Sequence, residues 1–530
     1  MEGYDGSTRR QRPMDQIGNP DQSTLDDDVR TLHALGYGQE LARRMSAFSN
    51  FAISLSIICI LAGGITSFHL GLCTVGGASI GLGWPLVSLL AMAFAATMGQ
   101  LASAFPTAGG LYHWASILGG RGWGWATAWF NLAGLVTVLA AINVGTYEFV
   151  ARAFGPFLGF DLEGASGWTK EIVQLVAVLA ITFSHAYFNH MGIRTTTLLT
   201  DFSGYLILVV AVLLTAAMLI FAPSYDLSRL VTFANYSGVP VSDPVWPAAN
   251  NLTLLFALGF MLPAYTITGF DASAHTAEET VGAARAVPRG IVRSVWVSGL
   301  FGWVMLVAVV LAIPDMDQAA QQGGAVFYWI MREVLPTWLT LLLFAGIAVA
   351  QYCCGLATVT SASRMMYAFG RDGGLPWSGL LRHVSPTHRT PSAAIWVVAV
   401  TAIAFTVFTP VYSTITTVCV IFLCISYVMP TVSGFLTFGR SWTKMGPWTL
   451  GGWYRPLAAL CVIGGIAMFV IGVQPPNDKA LWIVLGMSGL MALYWCVYKR
   501  RHFAGPPHGV LMPKRQAEIL AVEKAVGQVS

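Results

Sequence analysis

Apolar residues run along this chain in blocks, not in stripes. From about position 46 onward, long apolar stretches alternate with short polar connections. A helix needs about 20 mostly apolar residues to cross a hydrocarbon core. Twelve blocks meet or approach that length, at roughly 48–71, 78–104, 122–151, 171–189, 195–221, 250–275, 290–313, 336–367, 393–409, 413–438, 455–473 and 480–498. The pattern predicts twelve spanning helices. The stretch AVFYWIMREVL, within 315–335, is amphipathic and predicts a helix lying on the outer end of the bundle.

Two blocks read as interrupted. The sixth carries Pro263, then Thr266, Thr268 and Gly269, and is followed by Asp271 and the pair Glu278–Glu279. The first carries AGGITS at 62–67. Paired glycines permit unwinding, and Thr66 and Ser67 offer hydroxyls to freed backbone groups. A broken helix in lipid strands polar groups at several kcal/mol each, so a break survives only where something else bonds them. In transporters that partner is a substrate or coupling ion. The alternative is glycine used for close helix packing. The two candidates lie five helices apart, the spacing of the first members of an inverted five-helix repeat. Asp271 then stands where helix resumes, a place that favours an acid as a cap; direct substrate contact is the other reading.

Composition agrees with the blocks. The chain is 55% hydrophobic and 10% charged, against about 25% charged in soluble domains. The net charge of +4 and the lack of a long basic run argue against nucleic acid as a partner. The polar first 45 residues read as a tail with no signal peptide. The eight cysteines fall mostly in apolar runs without disulfide or metal spacing. Lys and Arg decide orientation. With both termini inside, seventeen basic residues fall at inner loops and helix ends, and five (Arg152, Lys170, Arg229, Arg332, Lys479) fall outside.

Four stretches then become recognisable. They are LHALGYGQELARRMSAFSNFAISLSIICILAGGITS (32–67), QLASAFPTAGGLYHWASIL (100–118), GFDASAHTAEETVGAARAVPRGI (269–291) and SASRMMYAFGRDGGLPWS (361–378). In this order the chain resembles the amino acid–polyamine–organocation superfamily, and most of all its amino acid/choline (GABA permease-like) branch. The resemblance implies an all-α membrane protein of the leucine-transporter-like fold. Helices 1–5 (46–221) and 6–10 (250–440) form inverted repeats, with a long outer loop at 222–249. Helices 11 and 12 (455–498) are peripheral, and tails at 1–45 and 499–530 are cytoplasmic. It implies a plasma-membrane secondary transporter (inner membrane in a bacterium) that moves an amino acid or small amine by alternating access. It also implies where the substrate sits: on Gly63, Gly64, Ile65, Thr66 and Ser67 of helix 1, and on Tyr265, Thr266, Ile267, Thr268 and Gly269 of helix 6, with Phe270 as the closing aromatic. This chain departs from the family pattern at Gln100, where an acid is usual. It also lacks the helix 5 lysine that stands in for sodium in some relatives.

Remaining polar residues inside the spans are candidates for function. Glu148 either attracts a cationic substrate or pairs with Arg152. Asp201 either binds a proton or cation or pairs with Arg194. Asn143 and Gln351 are candidate pocket donors, and His185 reads as a packing histidine. Glu278 and Glu279, near Arg285 and Arg289, either form a gating or loop-pinning salt bridge or carry solvated charge. No catalytic residue, metal or cofactor is expected, while a proton and a sodium ion both stand open as coupling ion. Residues 77–81 match G-x-S-x-G but open a membrane helix, the wrong context for a nucleophile elbow. The rival functions are an organic cation transporter of the choline or polyamine type, a membrane-embedded enzyme, which lacks a residue constellation, and a channel, which lacks a polar stripe.

Overall fold

The computed structural model describes residues 22–159, 168–408 and 412–507, together with Ile519 and Glu523. A short helix, α1 (Gln22–Ala34), precedes the bundle. The first span is split into α2 (Ala47–Ile58), α3 (Gly63–Thr66) and α4 (Phe68–Val75). It is followed by α5 (Trp84–Ala104), α6 (Leu111–Gly119), α7 (Arg121–Leu158), α8 (Trp168–His190) and α9 (Ile193–Phe221). The sixth span is also in pieces: α10 (Leu252–Leu258), α11 (Met261–Thr266) and α12 (Ala272–His275). Beyond it lie α13 (Ala283–Ala312), α14 (Met316–Gln321), α15 (Val326–Val334), α16 (Thr337–Arg371), α17 (Ser378–Leu381), α18 (Ser392–Phe408), α19 (Tyr412–Thr437), α20 (Tyr454–Gly472), α21 (Asp478–Tyr494) and α22 (Arg500–His502).

Ten helices among the described residues are long and apolar enough to cross a membrane; Leu252–Thr266 and Ser392–Phe408 are shorter. Together they fall on the twelve expected blocks. The sixth is short because it is broken. Helix α7 runs through the middle of the bundle, against α16 and α19. Helix α13 packs on α5, α2 and α9. Helix α21 is peripheral, with 17% of its apolar window buried inside the protein. Leu89, Trp296, Trp338, Ile463, Trp482 and Leu490 all point outward. Such a girdle of exposed apolar side chains needs a bilayer to cover it. Helix α15 buries Val326, Phe327, Ile330 and Met331 against the bundle, as its amphipathic pattern requires.

Both tails meet on one face, called here the terminal face. Asp28 of α1 accepts the Gly282 and Ala283 N–H groups at the start of α13, at 2.7 and 3.1 Å. Glu523 accepts from the Gln39 N–H at 2.9 Å and lies 2.7 Å from His33 Nε2. Met45 and Thr280 form an isolated β-bridge that stitches the chain before α2 to the chain after α12.

Candidate functional site

The two broken spans cross at mid-bundle, and each break is fitted to the other. Helix α2 stops at Cys59 (φ 10°, ψ 89°), and Cys59–Ala62 are not helical. The interruption thus lies one turn before the glycines, and Gly63 to Thr66 already form a turn of helix. The second break runs from Ile267 to Asp271. Gly269 there has φ +83°, and a Cβ on it would run into Ile57 at the end of α2. Gly63 abuts Thr266 in the same manner across the cavity. Glycine is required at Gly63 by the approach of the Thr266 backbone, and at Gly269 by its positive φ and the Ile57 side chain.

Between the breaks is a cavity of about 10 Å³ lined by Ala62, Gly63, Ile142, Tyr265, Thr266, Thr268 and Cys354, among others. That is about the room one water needs. Three backbone groups around it are bonded by side chains. Gln351 Nε2 donates to Leu61 O at 3.2 Å, and its buried Oε1 has no partner. Cys354 Sγ donates to Ile57 O at 3.2 Å. The Gly269 N–H donates to the Tyr427 hydroxyl at 3.0 Å.

The expected site residues fall into four groups. Gly63, Tyr265, Thr266 and Thr268 line the cavity. Ile267 and Phe270 instead line a separate apolar hollow of about 50 Å³ with Thr268, Phe94, Cys424 and Met468; the Phe270 ring lies 4.9 Å from that of Tyr427. Gly64 faces away, toward Leu306, Trp84 and Met305, and Ile65 is buried in the core, while Ser67 is buried beside the Tyr412 hydroxyl. Asn143 lies behind Ile142. Its Nδ2 donates to Thr182 at 2.8 Å, and its Oδ1 faces Gly355 and the His185 ring.

A hydroxyl pair closes the cavity on the far face. Thr66 Oγ1 and the Tyr412 hydroxyl are 2.6 Å apart, and the Tyr265 ring stands perpendicular to Tyr412 at 6.2 Å. Glu148, half-buried, lies within electrostatic reach of Tyr412.

The terminal-face closure is larger and wholly buried. Glu278 takes two hydrogen bonds from Arg371, at 2.8 and 3.0 Å, and one from the Ala108 N–H at 3.1 Å. Glu279 is gripped the same way by Arg364, at 2.9 and 3.1 Å. The expected partners were Arg285 and Arg289. Both are exposed on α13, and the acids turn inward to α16, because a buried carboxylate needs a buried counter-charge. Burial pushes the Glu278 carboxyl up; the Arg371 guanidinium and the Ala108 N–H outweigh this and hold it below the usual range. Asp372 Oδ2 accepts from the Tyr37 and Tyr112 hydroxyls, each at 2.8 Å, with His113 Nε2 at 3.2 Å. The Arg371 guanidinium also covers the Tyr37 ring at 3.9 Å. All four recognised sequence stretches send residues to this closure.

Two further expectations change. Asp201 does not pair with Arg194, which is exposed. Ser49 of α2 donates to its Oδ2 at 2.9 Å. Asp271 precedes α12 but caps nothing with its side chain. Its carboxylate instead joins three helices. Asn131 of α7 donates to Oδ2 at 2.9 Å, Tyr427 of α19 donates to Oδ1 at 2.8 Å, and His275 Nε2 lies 3.1 Å from Oδ2. Sequence reasoning missed His275 and Tyr427. The i+4 spacing from Asp271 was a signal for the histidine; nothing local marked the tyrosine. Gln100, where the family usually has an acid, accepts the Leu450 N–H at 2.8 Å and ties α5 to the loop before α20.

Two interrupted helices crossing at an enclosed site, shut by separate layers above and below, define a membrane transporter of small molecules. The family pattern described as amino acid permease matches residues 45–496. This chain belongs to that family, whose members are permeases and not enzymes. It is 30% identical to the amino-acid permease BAT1 of Arabidopsis thaliana over 92% of this chain and 98% of the relative. It is 26% identical to the GABA-specific permease of Saccharomyces cerevisiae, covering 94% and 89%. It is 25% identical to a putative polyamine transporter of Candida albicans, covering 91% and 89%.

Proposed function

We propose that this protein is a secondary active transporter of the plasma membrane, or of the inner membrane in a bacterial host, with both termini in the cytoplasm. It carries an amino acid or a related small amine, such as GABA, by alternating access. The observation that carries this reading is the pair of breaks meeting at Gly63–Thr266 and Gly269–Ile57, with independent closures on either side. The closed form has room for about one water at the breaks. Substrate binding must therefore open the hydroxyl layer of Thr66 and Tyr412 and part the breaks. The distribution of Lys and Arg supports the orientation, with the terminal face inward.

An amino acid suits such a place. Backbone N–H groups at a helix break favour a carboxylate, and the carbonyls of the same break favour an amine. A polyamine-like cation is the second reading, favoured by Glu148 beside the far-face closure. The coupling ion in this reading is a proton. Sodium takes oxygen ligands, and the Ile57 and Leu61 carbonyls are bonded by Cys354 and Gln351. Reconstituted protein should show saturable uptake of labelled GABA, of a panel of other amino acids or of spermidine, with counterflow on preloading. Uptake that rises linearly with concentration, without counterflow, would indicate a channel and defeat the proposal.

A further inference from the structure

We infer that His275 and Asp271 together hold the coupling proton, and that Ala108 ties its release to the opening of the terminal-face closure. This deepens the transport reading above and rests on it.

The argument starts from what each ring nitrogen faces. His275 is fully buried. Its Nδ1 lies 3.1 Å from the Ala108 carbonyl oxygen. A carbonyl only accepts, so Nδ1 carries a hydrogen. Its Nε2 lies 3.1 Å from Asp271 Oδ2. In a neutral ring, Nε2 would then turn a lone pair toward a carboxylate oxygen. Two facing lone pairs in a buried site repel, so one more proton belongs between them. Asn131 and Tyr427 already donate to the Asp271 carboxylate. The extra proton makes Nε2 its third donor and the ring an imidazolium. The pair is then neutral as a unit, which burial tolerates.

The neighbouring charges are already committed. On α16, Arg364 and Arg371 are bound to Glu279 and Glu278, and Tyr367 lies 5.1 Å under Arg371. His113 on α6 is spoken for by Asp372 and Thr107. Helix α2 presents Asn50 and Ser54, α7 presents Asn131, and α19 presents Tyr427. The α13 arginines 285, 289 and 293 are exposed. Among the described residues, the side-chain partners of the Asp271–His275 pair are Asn131 and Tyr427, and neither carries a charge.

Ala108 is the mechanical link. Its N–H donates to Glu278 Oε1 while its carbonyl accepts from His275. Gly110, two residues on, has φ +46° and lies against the same ring: a Cβ there would stand 3.2 Å from it. When Glu278 and Arg371 part, the Ala108 segment is released. His275 then loses the carbonyl that fixed its tautomer and gains water, and its proton leaves on that side. At the other end, the Gly269 N–H donates to the Tyr427 hydroxyl, which donates to Asp271. A substrate that takes the Gly269 amide frees Tyr427 and thereby changes the pair. Proton and substrate thus sense each other through one hydroxyl.

The test uses full-length protein in nanodiscs, labelled with 15N-histidine. The signal of His275 is identified by its loss in His275→Gln. At neutral pH the ring should be protonated on both nitrogens, and it should become neutral in Glu278→Gln and in Asp271→Asn. A neutral ring in the unsubstituted protein overturns the proton site. A doubly protonated ring that survives Asp271→Asn does the same, which keeps the test decisive if His275→Gln does not fold. An imidazolium unchanged in Glu278→Gln overturns the link through Ala108. In proteoliposomes with labelled GABA as the probe, His275→Gln should lose accumulation driven by a pH gradient, while counterflow falls far less and becomes insensitive to pH. Gradient-driven accumulation equal to that of the unsubstituted protein defeats the inference. If the unsubstituted protein moves neither GABA nor any other probe, the transport reading fails, and the histidine signal still decides the protonation.

Discussion

A methyl group on Gly63 would stand 2.8 Å from the Cα of Thr266. The broken part of one span is therefore seated directly on the backbone of the other. Gly64, the next residue, has its nearest neighbour 3.7 Å away, on a leucine side chain. Gly63→Ala should push the breaks apart at a cost of about 1–3 kcal/mol, the usual range for overpacking, and abolish most uptake. Gly64→Ala should be tolerated. Uptake and thermal unfolding of the two variants side by side check this. Equal effects would mean that the contact with Thr266 carries no weight.

The Thr66–Tyr412 pair makes a second prediction. Tyr412→Phe removes one hydrogen bond across the far-face closure and leaves the ring in place. A neutral bond of this kind contributes about 1 kcal/mol, so the closed form should lose roughly five-fold in population. Substrate entry should become faster and the apparent KM should change. Identical uptake kinetics in the variant would count against a gating role for Tyr412.

The buried Glu278–Arg371 pair predicts strong non-additivity. Arg371→Leu leaves an unpaired buried carboxylate and should cost about 3–5 kcal/mol. Adding Glu278→Leu should restore much of it, since the pair as a whole repays little beyond its own desolvation. Thermal unfolding of both singles and the double variant in detergent closes the cycle.

Acid should loosen the same closure. The Glu278 carboxyl sits below its ordinary value of 4.5 in the folded protein. Asp372 sits below 3.8, where burial pushes it up and the His113 and Tyr37 bonds prevail. A depressed acid stabilises the fold fully above its unfolded value. That stability is lost as pH falls through the folded value. Unfolding temperatures should therefore fall below about pH 4.5, and Glu278→Gln should flatten the profile there. A variant that follows the unsubstituted curve would remove Glu278 from the account.

Sodium should make no difference to uptake. Replacing it with potassium or choline at constant pH gradient should leave the initial rate unchanged, because Cys354 and Gln351 already bond the Ile57 and Leu61 carbonyls at the first break. A sodium-dependent rate would mean that these bonds give way to an ion.

The spans were legible because lipid imposes a blunt rule. A helix that faces hydrocarbon must be apolar over its length, and each of the twelve blocks shows this locally. Breaks were legible for a related reason: Gly269 and the paired glycines 63 and 64 are costly in a helix unless used. The exact turn was not legible. Cys59, not Gly63, leaves helical geometry, because that choice depends on where Ile57 and Thr266 come to rest against the opposite span. The charges were visible as residues but not as pairs. Glu278 and Glu279 lie near Arg285 and Arg289 along the chain, yet bond Arg371 and Arg364, about ninety residues away.

Chain chemistry alone thus decided that this protein crosses a membrane and which two spans are interrupted. Those properties depend on runs of adjacent residues meeting one solvent. Tertiary structure alone decided that Asp271 meets Asn131, Tyr427 and His275, that Ala108 touches both His275 and Glu278, and that the recognised stretches build a closure around Arg371. The reason is that a buried polar atom takes whatever partner the fold brings within about 3 Å, and sequence distance does not enter that choice.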